Sequence, residues 1–257
     1  MAPRILTFHS TSPRFTYSCT NYSPNRLLSL LGGLVESGFR LADLTDLLDD
    51  PRPGTLAITF DDAYDSLLCV LPRLVEEFGV HPTVFVPTAF IGRSNSWDYG
   101  HALAPQNHLD GPSLLQLVGL GIQIGAHGHQ HADLTHMPLD RASHELSESR
   151  RVLEELLGCR IDTVSYPFGR TNSEILGAAA QAGYGHGFTM SYPSVDDDPL
   201  ARGRIAVYGF DTPLAVWQKL SGGAGRRVET LKAGLTNSLS HGTTMLNRLR
   251  QRRSRRG

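Results

Sequence analysis

Two aspartates stand side by side at the end of an apolar run in the sequence. Residues 56–64 read LAITFDDAY, so that Asp61 and Asp62 directly follow a strand-like segment. Single aspartates are common at such ends because Asp favours turns, and neighbouring strand residues can reach water from opposite faces. A pair of carboxylates acquires a chemical use only if partners from elsewhere in the chain meet it, and histidines are the first candidates.

Four of the eleven histidines fall within ten residues, in the stretch GAHGHQHADLTH. His127 and His131 are four residues apart, a spacing that lets two imidazoles converge on one ion from a helix or from a tight loop. Glycines flank the segment and a strand-like run precedes it, which favours the loop. His129 and His136 are weaker candidates, for which structural or surface roles are favoured. We therefore interpret His127 and His131 as metal ligands.

One carboxylate and two imidazoles form a ligand set that leaves a position open for water, as in hydrolytic zinc sites. The same ligand types can also hold Fe(II) for oxygen chemistry. If Asp62 binds the ion, Asp61 remains to act as a base toward the metal-bound water, whose pKa the ion lowers. The residue types alone therefore leave hydrolysis and oxygenation open.

The elements that carry these residues alternate between strands and helices. Strand-like runs are predicted at residues 5–8, 56–60, 83–86, 122–124, 163–166, 187–189 and 205–207. Helical patterns start at Pro24, near Leu67, after a cap at Ser113, at Asp140, at Asn172 and near Pro213. Such alternation implies parallel βαβ units. Seven strands favour a single-domain, distorted (β/α)7-type barrel over an open doubly wound sheet, and no GxGxxG or Walker loop supports a nucleotide site.

Chemically distinctive groups follow the C-terminal ends of four predicted strands. They are His9, the pair Asp61 and Asp62, His127, and the tripeptide PFG at residues 167–169. In α/β barrels, active sites are assembled at that face from the ends of different strands. The sequence therefore predicts that these residues meet at one place.

These motifs resemble the polysaccharide deacetylase family, the NodB-homology domain of carbohydrate esterase family four. The resemblance rests on TFDD at residues 59–62, on HxxxH at residues 127–131 and on YPFG at residues 166–169, in the family's order. It runs from about residue 5 to residue 207. The family implies a hydrolase that removes N-acetyl groups from N-acetylglucosamine-type glycans, by attack of a metal-bound water on the amide carbonyl. The implied cofactor is a divalent metal, usually zinc.

The resemblance also implies a role for each matched residue. Asp61 corresponds to the general base. Asp62, His127 and His131 correspond to the metal ligands.

Residues around the implied metal would form the substrate side of the site. A backbone N–H near Ala63 and Tyr64 would help the metal to stabilise the oxyanion. Pro167 and Phe168 resemble residues of the groove wall. Trp97, in the loop SNSWDYGH, is a candidate for stacking on a sugar ring, although half-buried packing is the commoner role of such an aromatic.

The family's acid histidine usually lies in a late Leu-His motif. The sequence after residue 207 lacks one, because His241 in SLSHGTT follows no apolar strand. ILTFHS near the N-terminus resembles that motif moved to the front, as in the branch that deacetylates poly-N-acetylglucosamine. On this resemblance we assign His9 as the acid that protonates the leaving amine. A histidine that simply ends a strand is the alternative.

Two residues differ from the family's pattern. Ala63 stands where the family mostly has glycine, and Ser165 stands where many members have an arginine that orients the base. Arg204 is a candidate to replace that arginine as the partner of Asp61. These differences keep open a catalytically silent carbohydrate-binding domain, whereas the alternating helices argue against an Fe(II) oxygenase, whose sites usually lie on β-sandwich folds.

Charge divides the chain into an acidic body and a basic tail. The 257 residues are 40% hydrophobic and 19% charged, values typical of a globular protein. We predict a catalytic domain over residues 1–222 and a tail over residues 223–257. Residues 226–257 hold nine Lys and Arg against one Glu, which leaves 15 basic and 24 acidic residues elsewhere.

This charge distribution bears on the partners of the chain. The acidic body predicts no nucleic-acid partner. The tail has leucines near helical spacing, so it could lie on an anionic membrane surface as a peripheral contact. A partly disordered basic tail is the alternative. The predicted substrate is an N-acetylated glycan.

Sequence features of export are missing. MAPRILTFHS contains no apolar signal core, and no apolar run reaches eighteen residues. Cys19, Cys69 and Cys159 form no CxxC pair, which indicates thiols in a reducing compartment. We therefore expect a cytoplasmic protein, with membrane association through the tail left open.

Overall fold

Nine strands and seven α-helices lie within the residues that the computed structural model describes, which are 4–13, 18–95, 106–190 and 198–221. The strands are β1 (Arg4–Phe8), β2 (Arg40–Leu41), β3 (Thr55–Phe60), β4 (Thr83–Val86), β5 (Gln123–Ala126), β6 (Thr163–Ser165), β7 (His186–Thr189), β8 (Arg202–Gly203) and β9 (Ile205–Ala206). The helices are α1 (Pro24–Glu36), α2 (Leu44–Asp49), α3 (Leu71–Phe78), α4 (Gly111–Gly119), α5 (Leu139–Leu157), α6 (Ser173–Gln181) and α7 (Pro213–Ser221).

The strands form one parallel sheet that nearly closes on itself. Eight strands follow one another in the order β8-β7-β6-β5-β4-β3-β1-β9, and β2 adds to β3. The two ends of this path belong to a single segment, because only Arg204 separates β8 from β9. That segment pairs with β7 through β8 and with β1 through β9. The predicted single-domain α/β barrel is thus confirmed, with its seam at Arg204.

Strands β1, β3 and β4 are buried along their whole length, and their side chains alternate between two faces. In β3, Leu56 and Ile58 pack in the large core between strands and helices, whereas Ala57 packs with Phe85 and Phe188 in a second cluster. Because successive strand residues point to opposite sides, the second cluster fills the barrel interior. Because inner positions recur at every second residue, the inner positions that follow β1 and β3 lie at the C-terminal mouth of the barrel.

The helices appear in the predicted order, and several of their ends differ. The predicted cap at Ser113 is wrong, because the Asp110 side chain caps α4 by accepting the Ser113 N–H at 2.9 Å. The helix predicted from Leu67 onward begins as a 3-10 turn, Asp65–Cys69, and becomes α-helical only at α3. Pro72 is the second residue of α3, where its missing N–H costs no helical hydrogen bond.

Three short elements had no signal in the sequence. They are β2, α2 and β8, of two, six and two residues. Elements of this length are too short to establish a periodic pattern. Among the residues described here, no helix combines the length and apolar character needed to cross a bilayer. The predicted tail, residues 223–257, lies outside the described residues.

Candidate active site

Asp61 and His9 lie side by side at the mouth of the barrel. The Asp61 N–H donates to the Phe8 carbonyl at 2.9 Å, which extends the ladder between β1 and β3 by one residue. The Asp61 side chain is buried and His9 is half-buried. His9 interacts electrostatically with both Asp61 and His131, so its imidazole lies near the two.

A buried guanidinium holds Asp61 in a fixed orientation. Arg204 Nη1 donates to Asp61 Oδ1 at 2.8 Å and Nη2 donates to Oδ2 at 2.7 Å. Arg204 Nη2 also donates to Ser165 Oγ at 2.7 Å, and that hydroxyl donates to Asp61 Oδ2 at 3.3 Å. The arginine side chain is 0% exposed. The predicted pairing of Arg204 with Asp61 is therefore present, in the bidentate geometry that favours arginine over lysine.

This pairing decides the charge of Asp61. Burial raises the pKa of the Asp61 carboxyl, but the charge and hydrogen bonds of Arg204, with the nearby imidazoles of His127 and His9, lower it by more. The pKa of Asp61 is consequently held well below its usual range, and the group is an anion at neutral pH.

Three further side chains converge beside this carboxylate. Asp62 Oδ1 lies 3.2 Å from His131 Nε2 and 3.5 Å from His127 Nε2, and the three ligand atoms all lie within 4.8 Å of one another. Ligands that bind a tetrahedral zinc ion at 2.0–2.1 Å are separated by about 3.3 Å. The two separations that involve Asp62 fit that value, so these residues could hold a divalent metal.

The two imidazoles are also in the form that a metal requires. His127 Nδ1 donates to the Ser165 carbonyl at 2.7 Å, which leaves the lone pair of Nε2 directed at Asp62. Burial lowers the pKa of His127, against the opposing effect of the Asp61 charge. Burial also lowers the pKa of His131, to well below its usual value. Neutral imidazole is the species that binds metal ions.

Unusual backbone conformations are concentrated at this site. Four non-glycine residues of the described ranges have a positive φ, namely Asp62 (69°), Ala63 (50°), His131 (50°) and Phe168 (61°). Such conformations cost on the order of 1 kcal/mol each and persist only where the surroundings enforce them. The position of Ala63 explains why glycine would be favoured there.

Neighbouring residues hold the turn after β3 in this conformation. His108 Nδ1 donates to the Asp62 carbonyl at 2.6 Å. The Leu109 N–H donates to the Ala63 carbonyl at 2.7 Å. The turn that presents Asp62 is thus fixed by two hydrogen bonds from a segment more than forty residues later in the chain.

Comparison with known proteins agrees with this geometry. Residues 49–186, more than half of the chain, match the sequence model of the family described as Polysaccharide deacetylase. The chain belongs to the polysaccharide deacetylase family. YxkH from Bacillus subtilis (strain 168) is 28% identical over 145 residues, a match that covers 56% of this chain and 48% of YxkH. The chain therefore spans about half the length of this relative.

Solved structures share the fold of this family member. The Streptococcus pyogenes deacetylase PplD, in complex with acetate, is 19% identical with a TM-score of 0.68, covering 85% of this chain and 97% of PplD. IcaB from Ammonifex degensii is 18% identical with a TM-score of 0.69, covering 86% of this chain and 96% of IcaB. At these identities the similarity establishes a common barrel fold.

Two of the predicted substrate-binding residues, Pro167 and Phe168, differ in how far they are exposed at the site. Pro167 is buried and Phe168 is half-buried, and the Phe168 ring centroid lies 5.0 Å from that of His131. Phe168 is therefore the better placed of the two to contact a ligand. Trp97 lies outside the described residues.

Tyr64 needs a narrower interpretation than the sequence suggested. Its ring is 0% exposed, stacks on His108 at 4.9 Å between centroids, and accepts a hydrogen bond from Asn95 at 2.7 Å through its hydroxyl. A buried ring cannot contact a sugar. The prediction of substrate binding at Tyr64 therefore rests on its backbone.

The weaker histidine candidates point away from the ligand cluster. His129 Nδ1 lies 2.8 Å from Thr88 Oγ1, and His136 Nδ1 lies 3.0 Å from Asp133 Oδ2 with half of its side chain exposed. Structural and surface roles, which the sequence favoured for them, agree with these contacts.

Sequence reasoning missed the residues that support the site. Ser165 contacts Asp61 through its hydroxyl and His127 through its carbonyl, yet the sequence drew attention only to the arginine that it replaces. His108 had no signal because nothing around it is periodic. Glu145 did have a signal in the sequence. It falls on the buried face of α5, between Ala142 and Leu146, where a carboxylate is unusual.

Proposed function

We propose that this chain is a metal-dependent hydrolase that removes N-acetyl groups from an N-acetylglucosamine-type glycan. The observation that carries the proposal is the juxtaposition of the Arg204-bound Asp61 carboxylate with the ligand cluster of Asp62, His127 and His131. Asp61 Oδ2 lies only 4.0 Å from His127 Nε2, so that base and ligands border one reaction centre. Membership of the polysaccharide deacetylase family supports the same reaction.

The residues of the site would have different roles in amide hydrolysis. A divalent ion held by Asp62, His127 and His131, which we propose to be zinc, would acidify water and polarise the amide carbonyl. Asp61 takes the proton of the attacking water on a carboxylate oxygen. Because the pair with Arg204 makes Asp61 a weak base, it is suited only to water that has been acidified.

His9 supplies the proton that the leaving amine needs. It follows β1 beside Asp61 and is half-buried, which keeps it open to the mouth of the barrel. An amine leaves as a neutral molecule only if it is protonated as the C–N bond breaks. Phe168, and Trp97 outside the described residues, would flank the sugar.

Arg204 also bears on the alternative of a catalytically silent binding domain. Ser165, in place of the family's arginine, and Ala63, in place of glycine, are the two differences that keep that alternative open. The guanidinium that Arg204 brings to Asp61 supplies the missing group from the junction of β8 and β9. The silent domain is therefore the less favoured hypothesis, and no observation in the described residues favours an oxygenase.

The proposed organisation comprises a catalytic domain over residues 1–222 and a basic tail over residues 223–257. We propose a cytoplasmic protein whose tail makes peripheral contact with an anionic membrane. Phe210, Leu214 and Trp217, which precede the tail, are 51%, 64% and 43% exposed and support such a contact. Nucleic acid is not a proposed partner.

Acetate release is the direct test of this function. The purified chain, loaded with zinc, is incubated with N-acetylglucosamine oligomers, and free acetate is measured enzymatically. We expect release that falls to background after chelation and returns on adding zinc, because both the nucleophile and the carbonyl depend on the ion.

Two outcomes of this assay would contradict the proposal. Zinc bound in stoichiometric amount without acetate release from any N-acetylated oligomer would favour the silent binding domain. Acetate release that persists after complete removal of the metal would refute metal dependence.

The role of His9 predicts a loss that depends on the leaving group. His9→Ala is expected to slow acetate release from the amide by about 10²–10⁴-fold, the usual contribution of a general acid. Hydrolysis of 4-nitrophenyl acetate should be affected much less, since the phenolate leaves without protonation. His136→Ala, which removes a half-exposed histidine outside the cluster, is the control. Equal effects of His9→Ala on both substrates, or none on either, would return His9 to a structural role.

A further inference from the structure

The two histidine ligands stand at the ends of one short loop, residues 127–131. His127 follows β5 directly, and His131 ends the loop in a left-handed conformation with φ 50°. A short loop with a strained end does not keep its shape by propensity alone. The His127 ring is held by its own bond to the Ser165 carbonyl, and hydrogen bonds to the middle of the loop hold the backbone that carries both imidazoles.

Glu145 accepts hydrogen bonds from backbone N–H groups of this loop. It lies on the inner face of α5 and is 7% exposed. A single carboxylate oxygen, Oε2, accepts the N–H of His129 at 3.0 Å and the N–H of Gln130 at 2.7 Å. Hydrogen bonds to an ionised acceptor are about twice as strong as neutral ones.

The segment after β4 donates hydrogen bonds to backbone carbonyls of the same loop. The Thr88 N–H donates to the Gly128 carbonyl at 3.2 Å, and the Ala89 N–H donates to the His129 carbonyl at 2.9 Å. The loop is thus held between α5 and residues 88–89, with hydrogen bonds on both sides of its middle. Only Glu145 provides a charged group among these partners.

The geometry points to Glu145 as a positioning residue of the metal site. Its carboxylate fixes the amides of His129 and Gln130, so that His127 and His131 face Asp62 before any ion arrives. The inference rests on the proposed metal site, and it concerns the affinity for the ion rather than the chemistry at the substrate. Groups that orient metal ligands in this way determine how much conformational freedom binding must remove.

Zinc affinity is the measurement that tests this role. In competition with a chromophoric chelator, Glu145→Leu is expected to raise the zinc dissociation constant by about 10–100-fold, the range found for groups that support metal ligands. Glu145→Gln keeps an acceptor oxygen without the charge, so its effect should be smaller and in the same direction. At saturating zinc, both variants should regain most of the wild-type rate of acetate release.

Hydrogen exchange of the metal-free protein reports on the loop itself. The amides of His129 and Gln130 should exchange faster in both variants than in the wild type, because their common acceptor is weakened or lost. Glu155→Gln is the matched control: it removes a carboxylate from the same helix, exposed and paired with Arg151. It should change neither the zinc affinity nor the exchange of these two amides.

The outcomes separate this inference from the proposed function. If the wild type binds zinc and Glu145→Gln binds it equally well, with unchanged loop exchange, the positioning role is refuted while the metal site stands. If Glu145→Leu merely lowers the melting temperature without changing zinc affinity, Glu145 is structural. A wild type that binds no zinc would refute the metal site itself.

Discussion

Replacing Arg204 with methionine is expected to lower the free energy of unfolding by about 3–5 kcal/mol, the cost of leaving one partner of a buried ion pair uncompensated. Methionine fills a similar volume but offers no donor to Asp61, which is 3% exposed and cannot turn to water. The hydroxyls of Ser165 and Thr59 would lose the same donors, at 2.7 Å and 3.1 Å. Chemical denaturation in metal-free buffer measures the difference.

Two further variants locate the source of this loss. Arg151→Met removes an exposed arginine that pairs with Glu148 and Glu155, and should leave the free energy of unfolding close to that of the wild type. The double variant Asp61→Asn with Arg204→Met should be less destabilised than the two single changes together, because it leaves no isolated buried charge. If Arg204→Met lowers the free energy of unfolding as little as Arg151→Met does, the pair of Arg204 with Asp61 does not stabilise the barrel.

Arg204 also explains why the site could be predicted only in part. The convergence of His9, Asp61 and His127 follows from the sequence, since parallel strands deliver their C-terminal residues to one edge. The arginine lies between β8 and β9, two strands of two residues each, at the seam of the barrel. The sequence could offer Arg204 only as a candidate partner, because β8 had no signal there, and its two hydrogen bonds to Asp61 form only when the sheet closes.

Ser165 and Arg204 are best understood together. The sequence presented Ser165 as the loss of an arginine from the strand that leads into YPFG. In the structure, its small side chain leaves the space that the Arg204 guanidinium occupies, and its hydroxyl bonds to that guanidinium. A positive charge beside Asp61 is thus supplied by Arg204, from the residue between β8 and β9. The sequence suggested Arg204 as the replacement, and the structure supplies the distances that a position-by-position comparison cannot give.

Ala63 illustrates a second limit of the sequence. Its φ of 50° agrees with the glycine that the family mostly has there, and the methyl group costs on the order of 1 kcal/mol in that conformation. The turn persists because His108 and Leu109 donate to the carbonyls of Asp62 and Ala63. Those donors lie in a later loop, whose approach to the turn no local pattern reveals.

Asp61→Asn is expected to have the largest effect on activity and little on metal binding. The amide has nearly the same shape and can still accept one hydrogen bond from Arg204, but it cannot take a proton from water. We expect acetate release to fall by about 10³-fold or more, within the range attributed to a general base. The zinc content of the purified variant should match that of the wild type, since Asp61 is not in the ligand cluster.

Asp62→Ala provides the opposite result from the adjacent position. It removes one of three ligand groups, so we expect the variant to lose zinc and, with it, acetate release. The two variants would then differ in a measurable way. Asp61→Asn would be inactive although it retains zinc, and Asp62→Ala would be inactive because it has lost zinc. Full activity of Asp61→Asn, or normal zinc content in Asp62→Ala, would show that the roles of base and ligand are wrongly divided. Both carboxylates follow the same strand end, and their surroundings differ because Asp62 adopts a left-handed conformation beside the two histidines while Asp61 is bound by Arg204.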